Sequence, residues 1–292
     1  MNQSSPITFC LSTYNTINYL KLVVKSVREN SYYENAPFII HSENCTDGTN
    51  EWLIENAGKY KLQVYIDKNE IPLGIGGGMN FCADKVKTKY IGFLSSDFYM
   101  AKDWDKALVD ICESRPDDKI WSFSYRVEPA VFGNLDSRIG TLKVPLEMFG
   151  ELHTNFKEQE FLEWASEFSS MNDFQFRKPE GVSGVISKEN WDYIGGNDSR
   201  FSPMYWEDAD IFIRMLNEGY DFVLTTKSVL YHFASRTSRF PDDNFSTRPK
   251  HLEEYENKSL NEFVKKYGRL PNYDDVGCYI PMQPIDGSKN RI

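Results

Sequence analysis

Two rhythms of apolar and polar positions run along the chain. Short runs rich in β-branched and aromatic residues, at 7–13, 37–41, 62–66, 90–94 and 120–125, have the make-up of buried strands. Between them apolar residues return every three or four positions: Leu20, Val23, Val24 and Val27, then Phe81, Ala83 and Val86, then Trp104, Leu108, Ile111 and Cys112. That spacing puts each set on one helical face, and Trp52, Leu53 and Ile54 mark a further short helix. Asn15 or Thr16, Thr49 and Asp103 stand where these helices need an N-cap. Strand and helix in alternation predict an α/β fold around a parallel sheet with right-handed crossovers.

From 126 to 151 the periodicity fades and Gly, Pro and Asn recur, which marks a passage between two halves rather than a flexible linker. Helical spacing resumes over 156–168, and a strand is expected at 181–187. A helix then opens at Glu207, Asp208 and Asp210, with Ile211, Met215 and Leu216 on its apolar side. Two strands, 221–225 and 228–233, follow. The last helix, 250–267, carries Leu252, Tyr255, Leu260, Phe263, Val264 and Tyr267 on one face and ends at Gly268, with Pro271 beyond. That stripe calls for cover, by the body of the molecule or by a second copy in a homo-oligomer. The tail past 279 is polar and expected to be loosely held.

Composition narrows the function classes. The 292 residues suffice for one large domain or two small ones. A net charge of -10 argues against a nucleic-acid groove, which needs a basic field around the phosphates. The five cysteines, Cys10, Cys45, Cys82, Cys112 and Cys278, show no CxxC pairing and read as buried thiols in a reducing compartment. No stretch approaches the ~20 apolar residues of a membrane span, and no signal-peptide core follows Met1. A cytoplasmic protein is expected, at most peripheral at a membrane.

Candidate chemistry sits at the ends of the predicted strands, where open α/β sheets bind ligands. Ser12, Thr13 and Tyr14 follow the first strand, and Ser42 and Glu43 the second. The run from Gly74 to Asn80 opens a helix and either brings backbone amides to an anion or forms a turn. Asp97 ends a buried strand through Ser95 and Ser96, placed for a metal or phosphate, or for an Asx turn. His232 closes the 228–233 strand as a structural or a ligating imidazole. The segment 234–248 carries Arg236, Arg239 and Arg248, as a surface loop or as a clamp on a diphosphate. The acids at 207, 208 and 210 suit a helix N-terminus as well as catalysis.

In their order these segments resemble the family 2 glycosyltransferases of the GT-A fold, over roughly 7–233. Leu11 to Asn15 looks like that family's first nucleotide-binding segment. Ser42 to Thr49 looks like its "DDGSTDGT" stretch, with Ser42 in place of the first acid and Glu43 on the second. Gly74 to Asn80 matches its Gly-to-Asn run, and Ser95-Ser96-Asp97 lies at its Asp-x-Asp metal motif with Ser95 replacing the first acid. Gly195, Gly196, Asp198 and Phe201, then Trp206-Glu207-Asp208-Ala209-Asp210 with Arg214, resemble "GGFD…F…WEDxD…R".

The resemblance implies a Rossmann-like, mixed but mostly parallel sheet flanked by helices, with a C-terminal helical extension. It divides the chain into a catalytic domain at 1–240, with a nucleotide-sugar half at 1–125 and an acceptor half at 126–240, and a lid, helix and tail at 241–292. It implies inverting transfer of a hexose from a UDP- or GDP-type donor to a hydroxyl of a glycan or glycoconjugate, as in polysaccharide biosynthesis. Asp208 is the implied base with Glu207 beside it, while Asp210 and Arg214 pair in support. Ser12, Thr13, Tyr14, Glu43, Gly74, Asn80, Ser96, Asp97, Arg236 and Arg239 are expected around the nucleotide sugar, and Phe201, Tyr205 and Trp206 around the acceptor. Asp97 and His232 are the expected ligands of Mn2+ or Mg2+, against a metal-free alternative in which the arginines neutralise the diphosphate. A nucleotidyltransferase would want a glycine-rich basic loop near 11–17, which is absent. A non-catalytic carbohydrate-binding module would explain Ser42 and Ser95 but not the intact 206–210 cluster.

Overall fold

The computed structural model of the chain describes residues 5–271, apart from 132, 134, 136, 138–139, 178, 180, 182 and 235–249. Cys278, Arg236, Arg239, Arg248 and the polar tail therefore lie outside the described residues. In chain order the elements are β1 (Ile7–Thr13), α1 (Ile17–Asn30), β2 (Phe38–Glu43), α2 (Thr49–Asn56), β3 (Leu62–Asp67), α3 (Gly74–Lys85), β4 (Tyr90–Leu94), β5 (Phe98–Met100), α4 (Trp104–Ser114) and β6 (Ile120–Pro129). There follow β7 (Thr141–Val144), α5 (Leu146–Phe149), α6 (Glu158–Met171), β8 (Gln175–Arg177), β9 (Gly184–Ser187), α7 (Lys188–Ile194), α8 (Glu207–Asn217), β10 (Asp221–His232) and α9 (Lys250–Tyr267).

One ten-stranded sheet runs in the order β3-β2-β1-β4-β9-β6-β10-β5, with β7 beside β6 and β8 beside β10. β1 pairs in parallel with β2 and β4, β2 with β3, and β6 with β10. Since β9 is antiparallel to both β4 and β6, those two run the same way. The carboxyl ends of β1, β2, β4, β6 and β10 thus open on one side of the molecule, as the βαβ rhythm requires.

Alternation along β1 divides the core. Ile7, Phe9 and Leu11 join Leu20, Val23 and Val27 of α1 and Trp104 and Leu108 of α4 in one layer. Cys10 joins Cys82 and Ala83 of α3, Trp191 of α7 and Ile211, Phe212 and Met215 of α8 in the other. Helices therefore cover both faces, and strands buried on both sides read as continuous apolar runs. Cys10, Cys45, Cys82 and Cys112 are all buried free thiols.

Several local expectations change. The segments 221–225 and 228–233 form one strand, β10, whose register against β6 shifts between Thr225 and Val229; a bulge breaks the apolar alternation without ending the strand. Thr16 occupies the N-cap position of α1 without a side-chain bond to the helix. The Thr16 hydroxyl meets that of Thr13 at 2.9 Å, and Asp47 from the next loop accepts from the Ile17 N–H at 2.9 Å. Asp47 also accepts from Thr49 N–H at 3.1 Å, so Thr49 is the first helical residue of α2 rather than its cap. Asp103 occupies the N-cap position of α4 without a side-chain bond. The short strands β5, β7 and β8 lack any periodicity that would reveal them.

Helix α9 packs on its own chain. Phe263 is fully buried with Phe201, Trp206, Ala209 and Ile213, so of the two covers expected for the stripe the body of the molecule supplies this one. Among the described residues no helix is long and apolar enough to cross a membrane.

Candidate active site

The strand ends open into a cleft of about 1020 Å³. Ser12, Thr13, Tyr14, Glu43, Gly74, Ser96, Asp97, Glu207, Asp208 and His232 all line it, so ten of the residues singled out in the sequence meet at one place. Tyr14 is 46% exposed at the end of β1 and presents a ring for stacking.

The glycine run of α3 serves packing rather than anion binding. The Glu43 carboxylate accepts from the N–H groups of Leu73 at 2.8 Å and Gly74 at 2.9 Å, and from the Asn69 amide at 2.6 Å. Ile75 N–H goes to the Pro203 carbonyl at 2.9 Å. The amides of Leu73, Gly74 and Ile75 at the helix start are thus taken by the protein's own groups. Gly78 lets α3 press on β1, since a Cβ there would fall 2.0 Å from Ser12 Oγ. Glu43 lines the cleft, but its carboxylate is engaged in holding the 69–74 loop. Asn80 does not line the cleft: its amide donates to the Asn197 carbonyl and accepts from the Asn197 N–H, tying α3 to the loop before α8.

At the ends of β4, β6 and β10 a charged row forms. His232 Nε2 lies 3.3 Å from Asp97 Oδ2, and its Nδ1 lies 2.7 Å from Glu128 Oε1. Arg126 Nη1 is 3.4 Å from the same Glu128 oxygen. Burial alone would lower the His232 pKa, but Asp97 and then Glu128 outweigh it and the net shift is upward. The pair Asp97–His232 also fits a divalent cation. Two ligands on adjacent vertices of an octahedron stand roughly 3 Å apart, close to the observed separation, and a carboxylate on the far ring nitrogen is the usual orienting partner of a ligating histidine. Among the described residues no three His, Cys, Asp or Glu side chains gather around one point. The protein can therefore supply this pair and leave the remaining positions to phosphate oxygens and water.

Glu207 and Asp208 open α8 on the same cleft. Trp206 precedes them with φ of 67°, in the left-handed region, which turns the chain sharply into the helix. Glu207 is buried, and its Oε2 has no hydrogen-bond partner among the described residues. Burial, and then the charge of Asp208, push its pKa up to about 8. Asp208 is half-buried and accepts from the Ala209 N–H at 2.7 Å. At neutral pH Glu207 holds its proton beside a more exposed Asp208, which is how adjacent carboxyls divide acid and base roles.

The next acid has a different fate. Asp210 is fully buried and bonded to Arg214 Nε at 2.8 Å, to Tyr267 OH at 2.7 Å and to Lys266. Arg214 also donates to the carbonyls of Ile194 and Gly196. These bonds fix the first turn of α8 from both sides, matching the expected Asp210–Arg214 support and adding α9 to it. Phe201 and Trp206, expected at the acceptor, are buried under α9 and do not line the cleft, and neither does Tyr205. His251, Leu252 and Tyr255 of α9 line it instead, together with Arg126. Arg126 stands one residue past the predicted strand 120–125, and a cation at a strand's carboxyl end was the signal available for it. Nothing local marked His251 and Tyr255, because only the docking of α9 brings them to the site.

The sequence profile of Glycosyl transferase family 2 matches residues 8–171. The fold aligns with that of GalNAc-T7 with UDP, GalNAc and Mn2+ at a TM-score of 0.56 and 15% identity, covering 80% of this chain and 44% of that one. It aligns with S. aureus TarS at 0.52 and 14%, covering 88% and 43%, and with TarS 1-349 at 0.50 and 13%, covering 89% and 72%. The chain spans less than half the length of GalNAc-T7 and of the longer TarS chain. Among curated proteins none matches it. The neighbours share the GT-A sheet and the profile runs over more than half of the residues, so the chain belongs to Glycosyl transferase family 2.

Proposed function

We propose that the chain is an inverting glycosyltransferase that moves a sugar from a nucleoside diphosphate donor, of UDP or GDP type, to a hydroxyl of a glycan or glycoconjugate. The observation that carries this reading is the convergence of the Glu207–Asp208 pair and the Asp97–His232 pair on one cleft at the sheet's carboxyl ends. The family membership and the fold shared with a protein crystallised with UDP, GalNAc and Mn2+ support it.

In this reading Asp208 takes the proton of the attacking acceptor hydroxyl while that oxygen bonds to the anomeric carbon and the diphosphate leaves from the opposite face. Glu207, neutral beside it, donates from its unpartnered oxygen to a sugar hydroxyl and keeps a second negative charge away from the base. Asp210, clamped by Arg214, Lys266 and Tyr267, keeps the first turn of α8 in place. Asp97 and His232, oriented by Glu128, would hold Mn2+ or Mg2+, which supplies Lewis-acid neutralisation of the departing diphosphate. Tyr14 stacks on the nucleobase at the rim.

Incubation with a panel of UDP- and GDP-sugars, with EDTA and then with added Mn2+, tests the reading. Release of UDP or GDP from at least one donor is expected, reduced by chelator and restored by Mn2+. No release from any donor would overturn the transferase reading, and full release in EDTA would overturn the metal alone.

A further inference from the structure

We propose that Arg126 is a phosphate-binding residue that contacts the donor's diphosphate beside the Asp97–His232 pair. The inference rests on the transferase reading, and three observations carry it.

The first is charge. Five acids line the cleft, Glu43, Asp47, Asp97, Glu207 and Asp208, and Arg126 is the one arginine or lysine among the described lining residues. A diphosphate brings further negative charge into that field and needs a cation in direct contact. At the helix start that often fills this role, the amides of Leu73, Gly74 and Ile75 already donate to Glu43 and Pro203.

The second is placement. Arg126 lies on β6 with 9% of its surface exposed. Its guanidinium carbon is 5.6 Å from the Phe98 ring centroid. Its acid partner Glu128 does not line the cleft, whereas Arg126 does, so the guanidinium faces the ligand space with its counter-charge behind it. A stacked, ion-paired guanidinium has lost most of its freedom before the ligand arrives, and its planar fork matches two phosphate oxygens.

The third is clearance. A Cβ at Gly181, which lines the same cleft, would fall 2.7 Å from Arg126 Nη2. The absence of a side chain there leaves the end of the guanidinium its room at the cleft wall.

The test uses the full chain with UDP and GDP as probes, by titration calorimetry, in EDTA and again in Mn2+. Arg126→Gln should weaken the nucleoside diphosphate that binds by about 10- to 100-fold, the range of a lost charge-assisted bond, and leave the corresponding nucleoside unchanged. Arg126→Lys should fall between the two. Equal weakening of nucleoside and nucleoside diphosphate in Arg126→Gln, or undiminished binding of the nucleoside diphosphate, overturns the proposal alone. A parent protein that binds neither UDP nor GDP overturns the proposal together with the transferase reading.

Discussion

Two pairs of side chains share the cleft, Asp97 with His232 and Glu207 with Asp208, and they are treated in opposite ways. The His232 imidazole lies between Asp97 and Glu128, and Arg126 pairs with Glu128, so both carboxylates in that row have a basic side chain as neighbour. Glu207, by contrast, is buried with an oxygen lacking any hydrogen-bond partner among the described residues, and the charge that adds to its burial shift is that of Asp208. The difference follows from where each pair sits. The first grows from the ends of β4, β6 and β10, where neighbouring strands bring opposite charges into register. The second lies in the first turn of α8, where the charge of Asp208 adds to burial in raising the Glu207 pKa. The Asp97–His232 pair holds a cation when the imidazole is neutral. The Glu207–Asp208 pair is suited to moving a proton, because Glu207 is driven to stay neutral. In the proposed reaction the first pair holds the leaving group and the second moves the proton.

Removing the base should break this division most severely. Asp208→Asn is expected to lower donor turnover by roughly 10²- to 10⁴-fold, the usual weight of a positioned base, read as release of nucleoside diphosphate. Turnover within tenfold of the parent would place the base elsewhere.

Glu207 gives the next effect, on stability. Its folded pKa of about 8 lies above the ordinary glutamate value of 4.5, so the folded state binds this proton more tightly than the unfolded chain. The stability it lends is full below pH 4.5 and is lost progressively as pH rises to about 8. Glu207→Gln keeps the neutral form at every pH. It should melt near the parent at pH 5 and well above it at pH 9, by roughly 3–5 kcal/mol from one pKa unit per 1.36 kcal/mol, or several degrees. A melting difference that does not grow with pH would contradict the buried, proton-holding state.

The smallest effect belongs to the third acid of α8. Tyr267→Phe removes one of the bonds to Asp210 and leaves Arg214 and Lys266 in place. A loss of about 1–2 kcal/mol in urea unfolding is expected, with turnover falling less than in Asp208→Asn. No change in the urea midpoint would mean that α9 does not support α8.

Much of this arrangement was legible in the sequence. Periodicity located the strands that carry the site and the helices that cover them, since burial on both faces leaves continuous apolar runs and one-sided burial leaves a stripe. The ten lining residues followed from strand ends and motif order. What escaped depends on contacts far apart in the chain. Phe201 and Trp206 look like sugar platforms until α9, more than forty residues on, covers them. Glu43 reads as a ligand for the nucleotide until the fold brings the amides of Leu73 and Gly74 to its carboxylate. Asn80 reads the same way until it meets Asn197. Arg126 gains its place only when β6, β9 and β10 come together. In each case the residue type stated what chemistry was available, and tertiary packing decided whether the protein or a ligand uses it.

The most direct test of the division of labour measures nucleoside diphosphate affinity, in Mn2+, for Asp208→Asn and Asp97→Asn side by side with turnover. The account predicts that Asp208→Asn binds within about twofold of the parent while turning over at least 10²-fold more slowly, and that Asp97→Asn loses affinity by tenfold or more. Equal loss of affinity in the two variants, or a catalytically competent Asp208→Asn, would contradict it.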